Sequence, residues 1–451
     1  MSLLPADLAT CLRVLQAIAD DHAQINAHEG LKTLIAKINR DGRKRERRLA
    51  RDANVRHDRE LIAATGLVAQ RQPQPALPAS EGKDLAIART CYVCKQPFTR
   101  LHGFYHQLCP SCADLNYAKR LQRADLSGRV ALVTGGRIKI GYQMALRFLR
   151  DGAQVLVTTR FAHDAARRFS AEADAAQWID RLTIHHLELR DIAAVEAFAR
   201  HLLASLPAID ILINNAAQTI KRPLEFYRDL IRAEQAGAAL PATAQRVLAS
   251  ARPMAFLEQQ PDYPRDPALA PYFPAGLLDL DGQQIDLRPA NSWVLKLDEV
   301  STLELLEVQL VNVVAPFLLV SQLKPLLCRS RFARRFVINV SAMEGQFNRG
   351  TKTVYHPHTN MAKAALNMLT RTSANDYAKD GIWMNSIDTG WITDEKPFER
   401  KARHQASQGF YAPLDEIDGM ARMYDPIVRG ILEPDEPWYG YFLKDFVPHP
   451  W

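Results

Sequence analysis

The sequence predicts an α/β protein. Its main domain is a doubly wound parallel sheet, preceded by a helical N-terminal region and a small cysteine module. Three observations lead to this prediction. Short apolar segments alternate with helical patterns after residue 129, which is typical of parallel sheets covered by helices. A glycine-rich turn follows the first of these segments. Two Cys-x-x-Cys pairs lie upstream of that turn.

Length and composition indicate an ordinary globular chain. The 451 residues suggest two or three domains. Hydrophobic residues make up 47% and charged residues 24% of the chain, as in most soluble proteins. We find no unbroken apolar segment of membrane-spanning length. The first residues, Met1–Asp7, lack the charged start and apolar core of a secretory signal. We therefore expect a cytoplasmic protein without membrane association.

The positive charge is concentrated in one segment. The formal net charge is +7, and Arg40–Arg51 is a dense basic run. Such a run either binds phosphate backbones or forms a solvated helix face. The second interpretation is the commoner one, so nucleic acid is not the expected partner.

The chain divides into four segments. Residues 1–71 are expected to be helical, because apolar residues recur at helical spacing. A proline-rich linker is expected at 72–87 and a zinc-binding module at 88–120. The dinucleotide-binding domain is expected at 127–451, with an insertion at about 221–300. The apolar residues of the two N-terminal faces are Leu8, Leu12, Leu15 and Ile18, and Leu31, Leu34, Ile35 and Ile38.

Six strands are predicted in the main domain. Helical patterns separate most of them, but the interval 221–300 is rich in proline. It contains two helix-like stretches, Leu224–Ala239 and Ala242–Ala251, and a further helix is predicted at Leu303–Leu319. We expect the insertion to cover the carboxyl edge of the sheet, where open α/β folds bind ligands. The predicted strands are Val130–Thr134, Gln154–Thr158, Leu182–Leu187, Ile209–Asn214, Phe336–Val340 and Trp383–Ile387.

Four of the six cysteines form the pattern of a metal site. Cys91 and Cys94 form one pair, and Cys109 and Cys112 form the other. In a reducing compartment, paired cysteines of this spacing indicate a tetrahedral zinc site rather than disulfides. Four thiolates close the coordination shell, so the predicted role is structural. The remaining cysteines, Cys11 and Cys328, are expected to be ordinary buried thiols.

The glycine turn predicts a nucleotide site. The segment Thr134–Gly141 joins an apolar strand to a helical pattern. A turn of this kind presents backbone N–H groups and the positive end of a helix dipole to a pyrophosphate. The sequence therefore predicts that the main domain binds a dinucleotide.

Six segments together resemble the short-chain dehydrogenase/reductase superfamily, over about residues 127–440. The resemblance implies a Rossmann-like sheet and a nicotinamide dinucleotide. The segments, in the family's order, are Thr134–Gly141, Asn214–Ala217, Gln309–Asn312, Asn339–Gly345, Met361–Asn367 and Asn385–Gly390.

The resemblance also implies which residues contact the cofactor. The family's lysine, here Lys363, hydrogen-bonds the nicotinamide ribose. Glu188 and Leu189 border the adenine. The other implied cofactor residues lie in the glycine turn, after the fourth strand and in the loop that closes on nicotinamide: Thr134, Gly135, Gly136, Arg137, Lys139, Ile140, Gly141, Asn215, Ala216, Thr389, Gly390 and Ile392.

The end of the second strand favours NADP over NAD. An NAD-preferring member would carry an acidic residue at about Thr159 to bind the ribose 2′-hydroxyl. Here Arg160 follows Thr159 instead. A guanidinium suits a 2′-phosphate, and Arg137 is a second candidate for that contact.

The catalytic positions depart from the family's pattern. Where the family has the middle glycine of the turn, this chain has Lys139. Ala342 stands at the position of the family's catalytic serine, with Ser341 one residue earlier, and Thr359 stands at the position of its tyrosine. A threonine hydroxyl is a poor general acid. Asn312 and Lys363 are retained. Our hypothesis is that His358 supplies the proton while Ser341 or Thr359 orients the carbonyl. His356 and Tyr355 are alternative proton donors. Each of these residues could instead only shape the loop.

The sequence favours two functions over a third, a nucleic-acid-associated protein whose basic run and cysteine module would dock on phosphates. The first is an atypical NADP-dependent oxidoreductase with an unknown carbonyl or hydroxyl substrate. The second is a non-catalytic NADP-binding sensor or scaffold that engages a protein partner through its zinc module. The missing serine and tyrosine favour the second, and the retained Asn312 and Lys363 favour the first. The family resemblance also allows a homo-oligomer.

Overall fold

The computed structural model describes residues 4–70, 82–235, 240–250, 266–279, 281–350, 352–433 and 437–451. Two strands form a hairpin in the cysteine module, and the others form one large sheet. The strands are β1 Asp84–Thr90, β2 Pro97–Arg100, β3 Val130–Thr134, β4 Gln154–Thr159, β5 Leu182–His186, β6 Ile211–Asn214, β7 Leu248–Ser250, β8 Arg335–Ser341, β9 Ile382–Asp388, β10 Phe442–Lys444 and β11 Val447–His449.

The large sheet has nine strands in the order β11-β10-β9-β8-β6-β3-β4-β5-β7. Neighbouring strands are parallel, except that β11 pairs with β10 in the antiparallel sense. All six predicted strands are confirmed, as β3, β4, β5, β6, β8 and β9. Three further strands, β7, β10 and β11, were not predicted, because each has only three residues.

Helices cover both faces of the sheet, which confirms the doubly wound architecture. The helices are α1 Pro5–Asp20, α2 Glu29–Ala63, α3 Gly66–Ala69, α4 Pro110–Leu121, α5 Lys139–Arg150, α6 Ala162–Ser170, α7 Ile192–Ser205, α8 Leu224–Gln235, α9 Ala242–Arg246, α10 Thr302–Gln309, α11 Ala315–Cys328, α12 Pro357–Lys379, α13 Phe398–Gln408 and α14 Glu416–Leu432. One core cluster joins the sheet to α5, α6 and α14, and the other joins it to α7, α11 and α12.

Helices α10 and α11 are continuous through a π-helical turn at Leu310–Val314. Within the described residues, Thr302–Cys328 is the one helix long and apolar enough to cross a membrane. The sequence prediction had found no such segment. Leu319, Leu323 and Leu327 of this helix are buried in the core against the sheet, which accounts for its apolar composition.

The N-terminal region is helical, as predicted, but most of its apolar residues are exposed. Helix α1 has no buried residue, and α2 buries only Asp58, Leu61 and Ile62 near its carboxyl end. The basic run Arg40–Arg51 lies within α2 with every residue exposed, as a solvated helix face would be. Cys11 and Cys328 are also exposed, so the expectation that they are buried was wrong.

The cysteine module consists of the β1–β2 hairpin and α4. The hairpin begins at Asp84, inside the segment predicted as a linker; the predicted linker residues 72–81 lie outside the described residues. The carboxylate of Asp58 in α2 accepts hydrogen bonds from the N–H groups of Ala86 and Ile87, at 2.7 and 3.0 Å. The module is therefore held between α2 and the main domain.

The module packs on the main domain through buried charges. The guanidinium of Arg120 in α4 contacts the carboxylates of Asp415 and Asp418 at the start of α14, the latter at 3.0 Å. All three side chains are about one-tenth exposed or less. Buried carboxylates need compensation of this kind, because desolvating an unpaired charge is costly.

The insertion lies along the side of the sheet where β4 and β5 end. Helix α8 packs against α6, and the rings of Phe161 and Tyr227 are 5.4 Å apart. The second predicted helix, Ala242–Ala251, ends at Arg246. Its last residues form β7 instead, since Val247 accepts a hydrogen bond from the N–H of Ile184 at 2.7 Å. Residues 236–239 and 251–265 of the insertion lie outside the described part.

Replacing Arg120 by methionine should destabilise the whole chain. Methionine keeps much of the volume but leaves Asp415 and Asp418 without their cation, which for a buried pair costs about 3–5 kcal/mol. Denaturant unfolding should show a lower midpoint with an unchanged slope. The control is Lys379→Met, because Lys379 forms an exposed pair with Asp376 at 3.7 Å, worth about 1 kcal/mol or less. Equal stability of the two variants would contradict the prediction.

Candidate functional site

The glycine turn follows β3 and has room only for glycine at three positions. Gly135 has a φ of +68°, and a Cβ there would lie 2.9 Å from Ala216. A Cβ on Gly136 would lie 2.8 Å from the side chain of Val157. A Cβ on Gly141 would lie 2.3 Å from the amide of Asn215. The backbone therefore stays open at the amino end of α5, where a phosphate can bind.

Lys139 adopts the backbone conformation that the family's glycine would adopt. Its φ is +55°, which for a side-chain-bearing residue costs about 1–2 kcal/mol. Burial disfavours its charge, but the carboxylates of Glu395, Asp281 and Asp279 raise the pKa of Lys139 above its ordinary value. The lysine is therefore a cation at the first turn of α5, surrounded by acidic residues.

One hydroxyl connects the turn to the neighbouring strand. The hydroxyl of Thr134 accepts hydrogen bonds from the N–H groups of Asn215 and Ala216, at 3.0 and 3.1 Å, and donates to the carbonyl of Ile213. The side-chain amide of Asn215 donates to the carbonyl of Thr134 at 3.0 Å. The ends of β3 and β6 are thus fixed to each other at the carboxyl edge of the sheet.

Arg160 lies at the end of β4 beside the insertion. Its guanidinium donates to the hydroxyl of Tyr227 at 2.9 Å and lies 4.0 Å from the carboxylate of Glu188. Leu189 is buried next to Glu188. Arg137 is more fully engaged, because it pairs with Asp164 and donates to Gln283 of the insertion, each at 2.7 Å. Arg160 therefore retains more donors for a ligand than Arg137 does.

A network of buried charges leads from Glu188 toward Asn312. Arg190 donates to Glu188 at 2.7 Å and to Glu307 at 3.1 Å. Gln218 donates from its side chain to Glu307 at 3.0 Å. Asn312, in the π-helical turn, accepts from the N–H of Gln218 at 2.7 Å and donates to its carbonyl at 3.1 Å. Sequence reasoning missed Arg190, Gln218 and Glu307, since nothing in their local sequence marks them.

The side chain of Lys363, a residue of α12, reaches the carboxyl end of β8. Its ammonium donates to the carbonyl of Val340 at 2.7 Å, and the hydroxyl of Ser341 is 3.5 Å from the carbonyl of Lys363. A Cβ on Gly345 would lie 2.6 Å from the backbone of Lys363, so the loop after β8 packs directly on α12. Burial lowers the pKa of Lys363 to about 8, although Glu344 acts in the opposite direction.

His358 and Thr359 are adjacent in α12, and both side chains are buried. The hydroxyl of Thr359 is buried and has no hydrogen-bond partner among the described residues. Residues four apart share a helix face, so this hydroxyl lies on the same face as Lys363. The ring of His358 lies 3.3 Å from Glu304 of α10, within the contact between the two helices. The structure therefore associates His358 with Glu304.

Asp388 is a titratable residue that sequence reasoning missed. It ends β9 and pairs in register with Ser341 of β8. Burial is the main cause that raises the pKa of Asp388 to about 6. The available signal was an acidic residue at the carboxyl end of a predicted strand, directly before the loop Thr389–Ile392 that the family resemblance associates with nicotinamide.

That loop packs against the cysteine module. Gly390 has a φ of +82°, and a Cβ there would lie 2.5 Å from Leu414. The next residue, Trp391, donates its backbone N–H to the hydroxyl of Tyr92 at 2.9 Å. Ile392 belongs to the same core cluster as Cys91. Thr389, Gly390 and Ile392 are thus brought beside the glycine turn, where Ile140 packs on that cluster.

The four cysteines of the two pairs form one cluster. Their sulfur atoms all lie within 4.8 Å of one another, and those of Cys94 and Cys109 are 3.7 Å apart. In a tetrahedral site with zinc–sulfur bonds of about 2.3 Å, two sulfurs would lie about 3.8 Å apart. The backbone N–H of Cys109 also donates to the sulfur of Cys91 at 3.3 Å, a contact that favours a thiolate. The cluster can therefore hold a metal ion.

Comparisons with known proteins identify two parts of the main domain. The short chain dehydrogenase family model matches residues 129–233. The enoyl-(acyl carrier protein) reductase model matches residues 292–415. The gap between the two matched segments corresponds to most of the insertion.

An uncharacterized protein of Acanthamoeba polyphaga mimivirus is 33% identical over 367 residues, covering 78% of this chain and 74% of that protein. Fatty acyl-CoA reductase of Acinetobacter baylyi is 32% identical over 102 residues, which cover 23% of this chain and 34% of that enzyme. Human dehydrogenase/reductase SDR family member 13 is 34% identical over 115 residues, covering 25% of this chain and 30% of that protein. The chain thus spans about a third of the length of the named oxidoreductases.

Among solved structures, a short chain dehydrogenase from Shigella flexneri is 16% identical, with 72% of this chain and 95% of that chain covered and a TM-score of 0.45. Membership of the family rests on the two family models, the order of the motifs and the geometry described above. The glycine turn, the asparagine in the π-helical turn, the lysine of α12 and the loop after β9 occupy one end of a parallel sheet. The chain belongs to the short-chain dehydrogenase/reductase superfamily.

Proposed function

We propose that this protein is an atypical NADP-dependent oxidoreductase that acts on a carbonyl or hydroxyl substrate of unknown identity. The observation that carries the proposal is the retained nicotinamide end of the site. Lys363 is buried at the end of β8, Asn312 is held in its π-helical turn, and the loop Thr389–Ile392 packs beside the glycine turn. A protein that only had to keep its fold would not need a buried lysine at this point.

The preference for NADP rests on Arg160. Its guanidinium stands at the end of β4, next to a buried Thr159 and without an acidic residue at that position. A guanidinium can bind a phosphate with two parallel hydrogen bonds. Arg137 is a weaker candidate, because Asp164 and Gln283 already engage it. When bound, NADPH would supply the hydride for a carbonyl reduction.

The protein's own residues would divide the remaining tasks. Lys363 would hold the ribose, and Asn312 would support a buried chain of water molecules. The unpartnered hydroxyl of Thr359, with Ser341 nearby in the fold, would orient the carbonyl oxygen. His358 would supply the proton from Nδ1, which has no hydrogen-bond partner among the described residues, while Glu304 stays beside Nε2. The carbonyl oxygen would receive that proton as the alcohol forms.

The second candidate is a non-catalytic NADP-binding sensor or scaffold. Ala342 and Thr359 replace the serine and tyrosine on which the family's chemistry depends, and this substitution favours binding without turnover. The cysteine module would then offer a surface to a protein partner. Turnover assays decide between the two, since both candidates require nucleotide binding.

We also propose that the cysteine cluster holds one structural zinc. Four sulfurs at near-tetrahedral spacing suit zinc better than magnesium or calcium, which prefer oxygen ligands. Reduced thiols of this kind suit the cytoplasm. With four thiolates, the shell would be closed and the ion would stabilise the fold.

The zinc proposal predicts about one equivalent of metal per purified chain, following the four-ligand shell of a structural site. Cys94→Ser should lose the metal and lower the melting temperature, because structural zinc contributes folding free energy. Cys328→Ser is the matched control, since that cysteine is exposed and lies outside the cluster. A metal-free chain with disulfides between these cysteines would refute the proposal.

The NADP proposal predicts that Arg160→Ala weakens NADPH binding but leaves NADH binding nearly unchanged. A charge-assisted hydrogen bond is worth about 1.5–3 kcal/mol, which corresponds to roughly ten- to a hundredfold in affinity. Calorimetry with both nucleotides measures this. The control is Arg150→Ala, because Arg150 pairs with Glu172 and Asp174 away from the turn. A preference of the unmodified chain for NADH would count against the proposal.

The catalytic proposal predicts that His358→Ala abolishes turnover while NADPH still binds. Lys363→Ala should weaken both binding and turnover, because the lysine would contact the ribose. Single-turnover NADPH oxidation with a panel of aldehydes and ketones measures turnover, and calorimetry measures NADPH binding. Full activity of His358→Ala would eliminate the histidine as the proton donor.

The pH profile provides a second measurement. The pKa of Lys363 is about 8, so its positive charge is lost as the pH rises through that value. The reduction rate of the unmodified chain should therefore fall above about pH 8. Tight NADPH binding without turnover at any pH would favour the sensor or scaffold.

A further inference from the structure

We infer that Tyr92 of the cysteine module is a positioning residue for the loop Thr389–Ile392, so that metal binding and nucleotide binding stabilise each other. The inference rests on the proposed function, because it assumes that this loop closes on a nicotinamide nucleotide. It goes further by giving the module a role in cofactor affinity.

The contact between Tyr92 and the loop is direct. The phenolic oxygen accepts the backbone N–H of Trp391 at 2.9 Å. A Cβ on the preceding residue, Gly390, would lie 3.4 Å from the same oxygen. The tyrosine thus reaches the loop backbone at the turn itself, between the two residues that the family places against nicotinamide, Gly390 and Ile392.

The backbone of Tyr92 is held by hydrogen bonds within the cysteine module. This residue lies between Cys91 and Cys94, and its N–H donates to the carbonyl of Gln107 at 2.8 Å. The N–H of Cys91 donates to the carbonyl of Gln96 at 2.8 Å. Four sulfurs from the two cysteine pairs meet beside this segment. A metal ion that ties the pairs together would therefore fix the position from which the phenol reaches the loop.

The other side of the loop is held by α14 and the module together. A Cβ on Gly390 would lie 2.5 Å from Leu414 and 3.5 Å from the guanidinium of Arg422. That guanidinium donates to Asn116 of α4 at 2.8 Å. Leu414 and Ile392 share one buried cluster with Cys91. Loosening the module would therefore release the loop from two sides.

Thermodynamic linkage makes the effect reciprocal. If a fixed loop binds the nucleotide more tightly, the bound nucleotide must raise the affinity for the metal by the same factor. A metal that only stabilised a separate module would not change nucleotide affinity. A measured coupling between metal binding and nucleotide binding would therefore show that the module is part of the cofactor site. Without coupling, the module would only stabilise the fold.

The test compares Tyr92→Phe with Tyr117→Phe in the full chain. Both substitutions remove one hydroxyl from the same module. Tyr117 lies in α4, is exposed and packs on the rings of His102 and Phe104. Tyr92→Phe should weaken NADPH binding about threefold to tenfold, the range expected for one hydrogen bond. Tyr117→Phe should bind NADPH like the unmodified chain.

A second measurement follows the loop without any nucleotide. Hydrogen exchange of a peptide covering residues 389–393 should be faster in Tyr92→Phe than in Tyr117→Phe, with the melting temperature and zinc content of the two variants equal. A merely structural role would change those two properties instead. Removing zinc with a chelator should weaken NADPH binding of the unmodified chain, and it should weaken binding of Tyr92→Phe by a smaller factor.

Two outcomes would overturn the inference. One is equal NADPH affinity in Tyr92→Phe and Tyr117→Phe. The other is equal exchange of the loop in the two variants. If no variant binds NADPH, the proposed function fails, and the exchange measurement still decides whether Tyr92 holds the loop. If chelation unfolds the chain, the comparison of the two zinc-loaded variants decides.

Discussion

Helix α14 is buried on two sides, and its buried charges are compensated by the cysteine module together with Asp445 of the carboxyl-terminal hairpin, which pairs with Arg422 at 3.0 Å. Met420, Met423 and Ile427 pack in the sheet's core. On the module's side, Asp418 contacts Tyr105 and Arg120. Arg422 contacts Asn116, and Asp425 contacts Lys119. Without Arg120 and Lys119, the carboxylates of Asp418 and Asp425 would lose these buried partners, and leaving a buried charge unpaired costs about 3–5 kcal/mol. The position of the loop Thr389–Ile392, which packs beside the module and α14, depends on this pairing.

The site keeps the family's glycine turn and lysine but departs from the family's pattern at the serine and tyrosine positions. The glycines at 135, 136 and 141 leave space for phosphate, and the contacts of Thr134 and Asn215 fix that end of the sheet. At the reacting end, Thr359 offers a hydroxyl without a partner among the described residues, where the family has a phenol. This hydroxyl lies on the same face of α12 as Lys363.

Much of the main domain could be predicted because its signals are local. Strands such as β3 and β6 are short apolar runs, and the glycine turn is a contiguous motif. The cysteine cluster follows from spacing alone. The surroundings of His358 could not be predicted, because Glu304 lies on another helix. The contact of Tyr92 with Trp391 joins residues separated by 299 positions, and no local pattern records such a contact. Lys139 was visible as a departure from the family, but its acidic neighbours come from the insertion and from the loop after β9.

The separation in sequence between α4 and α14 also determines when the protein can complete its fold. The contacts of Arg120 with Asp415 and of Tyr105 with Asp418 join residues 295 and 313 positions apart. During synthesis, the cysteine module leaves the ribosome long before α14 exists, and chains fold from the amino terminus as they emerge. Until α14 arrives, Arg120 and Tyr105 remain hydrated on an open surface. Closing so long a loop is entropically slow, so docking of the module belongs to the last stage of folding. A truncated or stalled chain would accordingly expose the surface of the module on which the loop Thr389–Ile392 packs.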